Sequence, residues 1–251
     1  MSLQSSDTCK TFRNKVDICR MFDRIAPRYD LLNHLLSFGQ DFFWRRKVAK
    51  YLNSSRNGNL EILDLATGTG DLLISLFREN RSIAKAVGLD ISANMLAICR
   101  EKINSHKLTE NISLVQADAV RIPFAENSFD VVTIAFGIRN TADTFEALKE
   151  MHRVLRPGGM SLILEFSLPK VRIIRGCYLL YLRYLLAMIG CVVSGDDYAY
   201  RYLGKTVENF YNTDDFCALM KEAGFLNVQA NQLTAGVVCM YRGYKAQESI
   251  G

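Results

Sequence analysis

Gly68 and Gly70, one residue apart in L-D-L-A-T-G-T-G-D (residues 63–71), are the first residues whose types and spacing point to chemistry. Glycine has no Cβ, so it permits a tight turn and lets a ligand lie against the main chain. Before the turn, Leu60–Ala66 is apolar except for Glu61 and Asp64, which suits a buried strand. After it, Leu72, Leu73, Leu76 and Phe77 recur at helical spacing. Strand, glycine turn and helix in that order build a ligand crevice at the carboxyl end of a parallel strand. Asp90, in V-G-L-D about 20 residues on, ends the next strand, where a carboxylate can accept hydrogen bonds from ribose hydroxyls. A dinucleotide needs a small third residue in the turn, and Leu73 stands there. No G-x-x-x-x-G-K-[ST] occurs at this turn, which disfavours a phosphate cradle.

These residues need a frame, and the chain alternates accordingly. Predicted strands are Leu60–Ala66, Lys85–Asp90, Ile112–Gln116, the apolar Val131–Phe136 and Met160–Glu165, with a closing hairpin of Phe225–Ala230 and Val237–Tyr244. Ser92 should cap a helix with Met95, Leu96, Cys99 and Ile103 on its buried stripe. Phe145, Leu148, Met151 and Leu155 mark another helix, and Arg156-Pro157-Gly158-Gly159 reads as a stop and turn. Thr213 is the expected cap of a third helix, which Gly224 closes. An amphipathic helix over Val16–Ile25 should end at Pro27, and residues up to about 15 should be frayed. The pattern is a doubly wound, mainly parallel, seven-stranded α/β sheet. Its expected divisions are a helical cap (1–50), an α/β core (51–168), an amphipathic insertion or lid (169–205) and the end of the same α/β domain (206–251).

With 251 residues, 49% of them hydrophobic, the chain has ample material for one core with additions. A net charge of +5 permits nucleic acid or an anionic membrane and demands neither. The basic residues are dispersed rather than striped, which argues against a nucleic-acid partner. Cys9, Cys19, Cys99, Cys177, Cys191, Cys217 and Cys239 form no C-x-x-C pair, so reduced thiols are expected and no metal site. Met1–Lys15 is polar and charged, which predicts no secretory leader and a cytoplasmic protein. The uncharged stretch Tyr184–Gly195 is too short to span a bilayer. Residues 169–195 contain Lys170, Arg172, Arg175 and Arg183 but no acid. A basic amphipathic helix of this kind suits a membrane surface or an apolar substrate, and equally a core-packing insertion.

A D-x-x-x-G-x-G turn followed by Asp90 resembles the S-adenosylmethionine (SAM) site of class I methyltransferases. The likeness sharpens with Y-D-L-L-N-H-L-L-S-F-G-Q-D-F-F-W (29–44), F-G-I-R-N (136–140), R-V-L-R-P-G-G-M-S-L-I-L-E-F-S-L-P (153–169) and L-T-A-G-V-V (233–238). With these the chain resembles the ubiquinone/menaquinone biosynthesis C-methyltransferase family from about Phe22 to Lys245. Departures fall on Leu32, Asp41 and Ala135, where the family usually has Met, His and a small hydroxylated residue. They touch the choice of substrate more than the reaction.

The resemblance implies methyl transfer from SAM to a ring carbon of a prenylated quinol. The product would be menaquinol from demethylmenaquinol, or a ubiquinone precursor from a benzoquinol. Carried over by position, the SAM contacts fall on Thr69, Asp90, Asp118 and Ala119, with Asp64 and Gly68 as further contacts. Arg139 and Asn140, just past the fourth strand, should sit at the crevice mouth. Arg139 is always protonated, so it can stabilise a developing phenolate or acidify a water but is no base itself. Tyr29 and Asn33 could complete the hydrogen bonding from the cap. His34 and His152 read as structural, and Glu165 as a wall or helix partner. Reversible contact with the inner membrane surface through residues around 171–193 is expected, and a homo-oligomer is left open. The rival readings are an RNA or protein methyltransferase and a non-catalytic SAM- or lipid-binding accessory protein.

Overall fold

In the computed structural model, residues 15–55, 58–185 and 197–247 are described. Expectations for residues 1–14 and for residues 186–196 of the insertion lie outside them. Alternating apolar strands and amphipathic helices assemble as the sequence pattern dictates. The strands are β1 (Leu60–Leu65), β2 (Ile83–Asp90), β3 (Ile112–Gln116), β4 (Phe129–Ala135), β5 (Leu155–Phe166), β6 (Leu226–Leu233) and β7 (Val238–Tyr244). They form one sheet in the order β3-β2-β1-β4-β5-β7-β6. All pairings are parallel except those of β7 with β5 and β6. Strand order reverses between β1 and β4, and a crevice opens at such a point.

Two helices, α1 (Lys15–Leu36) and α2 (Gln40–Ser55), precede the sheet; α3 (Asp71–Glu79), α4 (Ala93–Ser105) and α5 (Thr144–Val154) connect its parallel strands. Because side chains alternate along a strand, Ile62, Val131, Leu162 and Met240 pack under α2, α3 and α4, while Leu63, Val132, Ile163 and Tyr241 face α5 and α8 (Thr213–Glu222). Both faces of the sheet are thus covered. Between β5 and α8 lie α6 (Arg172–Leu180), a π-helical turn at Tyr181–Leu185, and α7 (Asp197–Glu208).

Ser92 caps α4 by accepting from the Met95 amide at 3.1 Å, and Met95, Leu96, Cys99 and Ile103 are its buried residues. Other expectations are corrected. The first helix does not end at Pro27 but runs on to Leu36. Proline removes one ladder hydrogen bond, and burial of Met21, Ala26 and Leu36 on either side carries the helix across. Arg156–Gly159 is not a turn before β5 but a bulge within it, where the register with β4 shifts and Gly158 takes φ +71°. Asn212, not Thr213, caps α8, accepting from the Asp214 and Asp215 amides. The fourth strand is not wholly apolar: Thr133 is buried in it and donates to Asp64.

Candidate active site

Two residues at the switch point, Ala66 after β1 and Phe136 after β4, take left-handed backbone conformations (φ +45° and +57°) that side chains disfavour. Gly137 follows so closely that a Cβ there would lie 2.5 Å from that of Ala66. The loops after β1 and β4 therefore touch, and strain of this kind collects at functional sites. In the turn, Gly68 (φ +55°) opens onto free space. Gly70 (φ +86°) begins α3, and a Cβ there would meet Cys99 Sγ at 2.6 Å. Glycine meets the left-handed backbone at both positions without strain, and at Gly70 there is no room for a side chain.

Asp90 ends β2 beside this turn. Its oxygens accept from the Gly68 amide at 2.8 Å and the Ser92 amide at 2.9 Å. Burial raises its pKa, against those backbone donors. A carboxylate has about four acceptor positions, so capacity remains for a ligand. Asp118 and Ala119 follow β3 next to it: the Ala117 amide donates to the Asp90 carbonyl at 3.0 Å, and Asp118 Oδ1 accepts from the Val120 amide at 3.2 Å. Asp64 lies beneath the turn. Its two oxygens are taken by the Thr67 and Thr133 hydroxyls at 2.7 and 2.6 Å, and burial pushes its pKa up to about 6. It braces the turn rather than lining it. Thr69 is buried and gives its hydroxyl to Asp30 at 2.6 Å. The glycine opening, the strand-end carboxylate and the polar groups after β3 fit the amino-acid, ribose and adenine parts of SAM.

Across β4 lies a cavity of about 280 Å³, walled by Phe22, Trp44, Phe136, Phe166, Tyr178 and Tyr202 among others. The rings of Phe136 and Phe166 are 4.6 Å apart. Its floor is the loop after β6, where Thr234, Ala235 and Gly236 are all left-handed (φ +46°, +54° and +91°). Trp44 Nε1 donates to Thr234 Oγ1 at 2.7 Å, which fastens α2 to that loop. Arg139 and Tyr29 both reach this cavity. Arg139 Nη1 bonds Glu165 Oε1 and the Phe136 carbonyl, each at 2.6 Å, while its Nε is buried without a partner among the described residues. Tyr29 bonds the Asn33 side chain, and burial, against the nearby Arg139 and Arg45 charges, raises its pKa. Asn140 is placed differently from the expectation. It is not among the cavity's lining residues and accepts instead from the hydroxyl of Tyr202, which is, at 3.2 Å.

Sequence reasoning named Glu165 only as a wall or helix partner, and it missed the contacts of Lys102, Asp23 and Asp30. Glu165, fully buried at the end of β5, is the charge partner of Arg139. Lys102, on α4, bridges Asp30 at 2.5 Å and Asp71 at 2.6 Å and donates to Thr69 at 3.1 Å. Ser92 Oγ donates to Asp23 at 2.5 Å. Asp23 and Asp30, two turns apart on α1, thereby tie the cap to both cofactor-side loops. Asp41 is buried between Arg45, Ser37 and His34. His34 stacks on Phe42, and His152 meets Phe225 edge-on. Among the described residues one group, His34, Asp41 and Asp71, has metal-like spacing, but Arg45 already bonds Asp41 and stands 3.8 Å from Asp71.

A model of the ubiE/COQ5 methyltransferase family matches residues 10–245. The chain belongs to the ubiE/COQ5 methyltransferase family. Among family relatives, the ubiquinone/menaquinone biosynthesis C-methyltransferase UbiE of Geotalea uraniireducens (strain Rf4) is 43% identical over 228 residues, covering 91% of this chain and 96% of that protein. The demethylmenaquinone methyltransferase of Staphylococcus aureus (strain MRSA252) is 38% identical over 236 residues, covering 94% and 96%. Solved structures share the family's fold at lower identity. A SAM-dependent methyltransferase from Thermotoga maritima, described as a possible histamine N-methyltransferase, superposes with TM-score 0.62 at 20% identity, covering 90% of this chain and 98% of that one. The [4+2]-cyclase SpnF gives 0.68 at 13%, covering 92% and 95%.

Proposed function

We propose that this chain methylates a ring carbon of a prenylated quinol with SAM as donor, in quinone biosynthesis. The observation that carries the reading is Arg139: a guanidinium held by a buried carboxylate, with an unpaired Nε, in the wall of an aromatic cavity beside the cofactor crevice. SAM, when bound, supplies a methyl group on a sulfonium; Gly68, Thr69, Asp90, Asp118 and Ala119 are the residues that would hold it.

A quinol ring carbon becomes nucleophilic when a conjugated hydroxyl is deprotonated. That ionisation costs about 4 kcal/mol for a phenol of pKa near 10 at neutral pH. Arg139 offsets it by donating to the developing oxyanion in a site of low polarity. Because the guanidinium keeps its own proton, a water takes the proton from the quinol oxygen. The hydrogen on the methylated carbon is then lost to water as a proton, and the oxygen regains one as the aromatic ring re-forms. Glu165 fixes Arg139 from behind. Tyr29, ordered by Asn33, and Tyr202, ordered by Asn140, orient the ring. Fixing the reactants in attack geometry can remove roughly 7–11 kcal/mol of barrier.

The apolar wall suits an isoprenoid tail, since each buried CH₂ contributes about 0.8 kcal/mol. Leu31, Phe38 and Phe42 of the cap and Ile173, Leu180 and Tyr184 of the insertion are exposed apolar side chains, and Phe38 also lines the cavity. The two groups meet where Phe38 and Tyr181 rings lie 6.3 Å apart and Tyr181 Oη bonds the Leu36 carbonyl at 2.5 Å. Exposed Arg172 and Arg175 stand beside them. No helix among the described residues is long and apolar enough to cross a membrane. This face therefore rests reversibly on an anionic bilayer, from which the tail is drawn. The test is turnover with methyl-labelled SAM and a short-chain demethylmenaquinol, run beside bulk RNA and protein. Label in the quinol supports the reading; label only in RNA or protein, or in none of them, overturns it.

A further inference from the structure

Arg45 stands on α2 one turn after Asp41, with its side chain nine-tenths buried in the cavity wall. Its Nη1 is bonded to Asp41, whose remaining acceptors serve His34 and Ser37. Its Nη2 is held differently. Asp71 Oδ2 stands 3.8 Å away, outside hydrogen-bond reach, and no other described residue accepts from it. That arm is not sealed off: it keeps exposure to the cavity, where its N–H groups can donate to a ligand's acceptor.

The position of that N–H identifies the acceptor. Asp71 is the first residue of α3, directly after the Gly68–Gly70 turn. The Arg45 guanidinium also lies 5.7 Å from the ring of Phe136, at the end of β4. Arg45 thus reaches the junction of the two loops that form the switch point. The amino-acid end of the cofactor must meet the glycine turn there, and α3 begins there with backbone amides that lack helical partners. Lys102, the other cation at the turn, is committed to Asp30 and to the far oxygen of Asp71. The Thr69 hydroxyl, in the same turn, is given to Asp30.

We propose that Arg45 binds the α-carboxylate of SAM, so that the N-terminal cap completes the cofactor site as well as the substrate cavity. Asp41 and Asp71 flank the guanidinium. They hold the guanidinium in place, and Asp71 can accept from the cofactor's ammonium while Arg45 takes its carboxylate. The inference rests on the SAM cofactor and is independent of the quinol.

The test is calorimetry of SAM and of decarboxylated SAM with the full chain, Arg45→Met and Arg45→Lys. The wild type should bind SAM at least tenfold more tightly than the decarboxylated analogue. Arg45→Met should lose at least tenfold in SAM affinity while binding the analogue as the wild type does, so that the preference disappears. Equal loss for both ligands, or no loss for SAM, overturns the assignment. If Arg45→Met fails to fold because Asp41 loses its partner, Arg45→Lys decides. It keeps the charge beside Asp41 but not the second N–H arm, so the SAM preference must shrink; an unchanged preference overturns the proposal.

Discussion

At the carboxyl ends of β1 and β2 the site is made largely of backbone: two left-handed glycines, the amides on Asp90, and a carboxylate braced by two hydroxyls beneath. Across β4 it is made of side chains, most of them brought by helices outside the sheet: Tyr29 and Trp44 from the cap, Tyr178 and Tyr202 from the insertion. The first half follows from the fold and changes only if the turn changes. The second is assembled from additions whose residues can vary without disturbing the sheet. The same framework can therefore keep one cofactor crevice while the substrate cavity changes. The halves should also separate under mutation.

Gly70→Ala attacks the backbone half. A left-handed alanine costs about 1–2 kcal/mol, and overlap with Cys99 Sγ about 1–3 more. SAM affinity by calorimetry should fall roughly 10- to 100-fold. Adding Cys99→Ala, which removes the sulfur, should restore part of it. A Gly70→Ala variant that binds SAM normally would mean that the turn does not shape the cofactor site.

Glu165→Gln attacks the side-chain half. With its charge partner neutralised but its shape kept, Arg139 is no longer held firmly, and turnover should drop about 10- to 100-fold with SAM affinity unchanged. Glu165→Ala is a harsher variant, because an unpaired buried guanidinium costs about 3–5 kcal/mol of stability. Equal turnover for wild type and Glu165→Gln would remove Glu165 from the account.

The mouth of the cavity is the boundary between the halves and water. Phe38→Asp combined with Ile173→Asp should lower flotation with anionic vesicles several-fold and raise KM for a long-tailed quinol, leaving a short-tailed one unaffected. Flotation equal to that of the wild type would count against the docking face.

Asp64 tests the brace beneath the turn. Its folded pKa of about 6 exceeds the ordinary aspartate value, so the folded state holds the proton more tightly. That contribution is complete below about pH 4 and is lost as pH rises through 6. Relative to Asp64→Asn, the wild type should therefore gain about 1–3 kcal/mol as pH falls from 7 to 4 in urea melts. A gap independent of pH would show that Asp64 is not desolvated there.

The backbone half was legible in the sequence because local signals encode it. Gly68, Gly70 and Asp90 announce themselves by spacing, and the stripe on α4 by period. The side-chain half was legible only in part. Arg139 could be placed because it follows a strand directly. The Glu165 pairing, the Lys102 bridge to Asp30 and the Arg45–Asp71 gap join segments about 26 to 72 residues apart, and periodicity does not say which faces meet. Pro27 misled because tertiary packing overrode a local break. Asn140 misled because one residue past Arg139 the short helix Ile138–Asn140 turns it toward Tyr202.

The central claim is that Arg139 serves the acceptor and not the donor. Measuring turnover and SAM affinity on the same preparation of Arg139→Ala tests it most directly. The prediction is methyl transfer reduced at least a hundredfold with calorimetric SAM affinity within twofold of wild type. Loss of SAM binding in that variant would instead place Arg139 in the cofactor site and contradict the division of the active site described above.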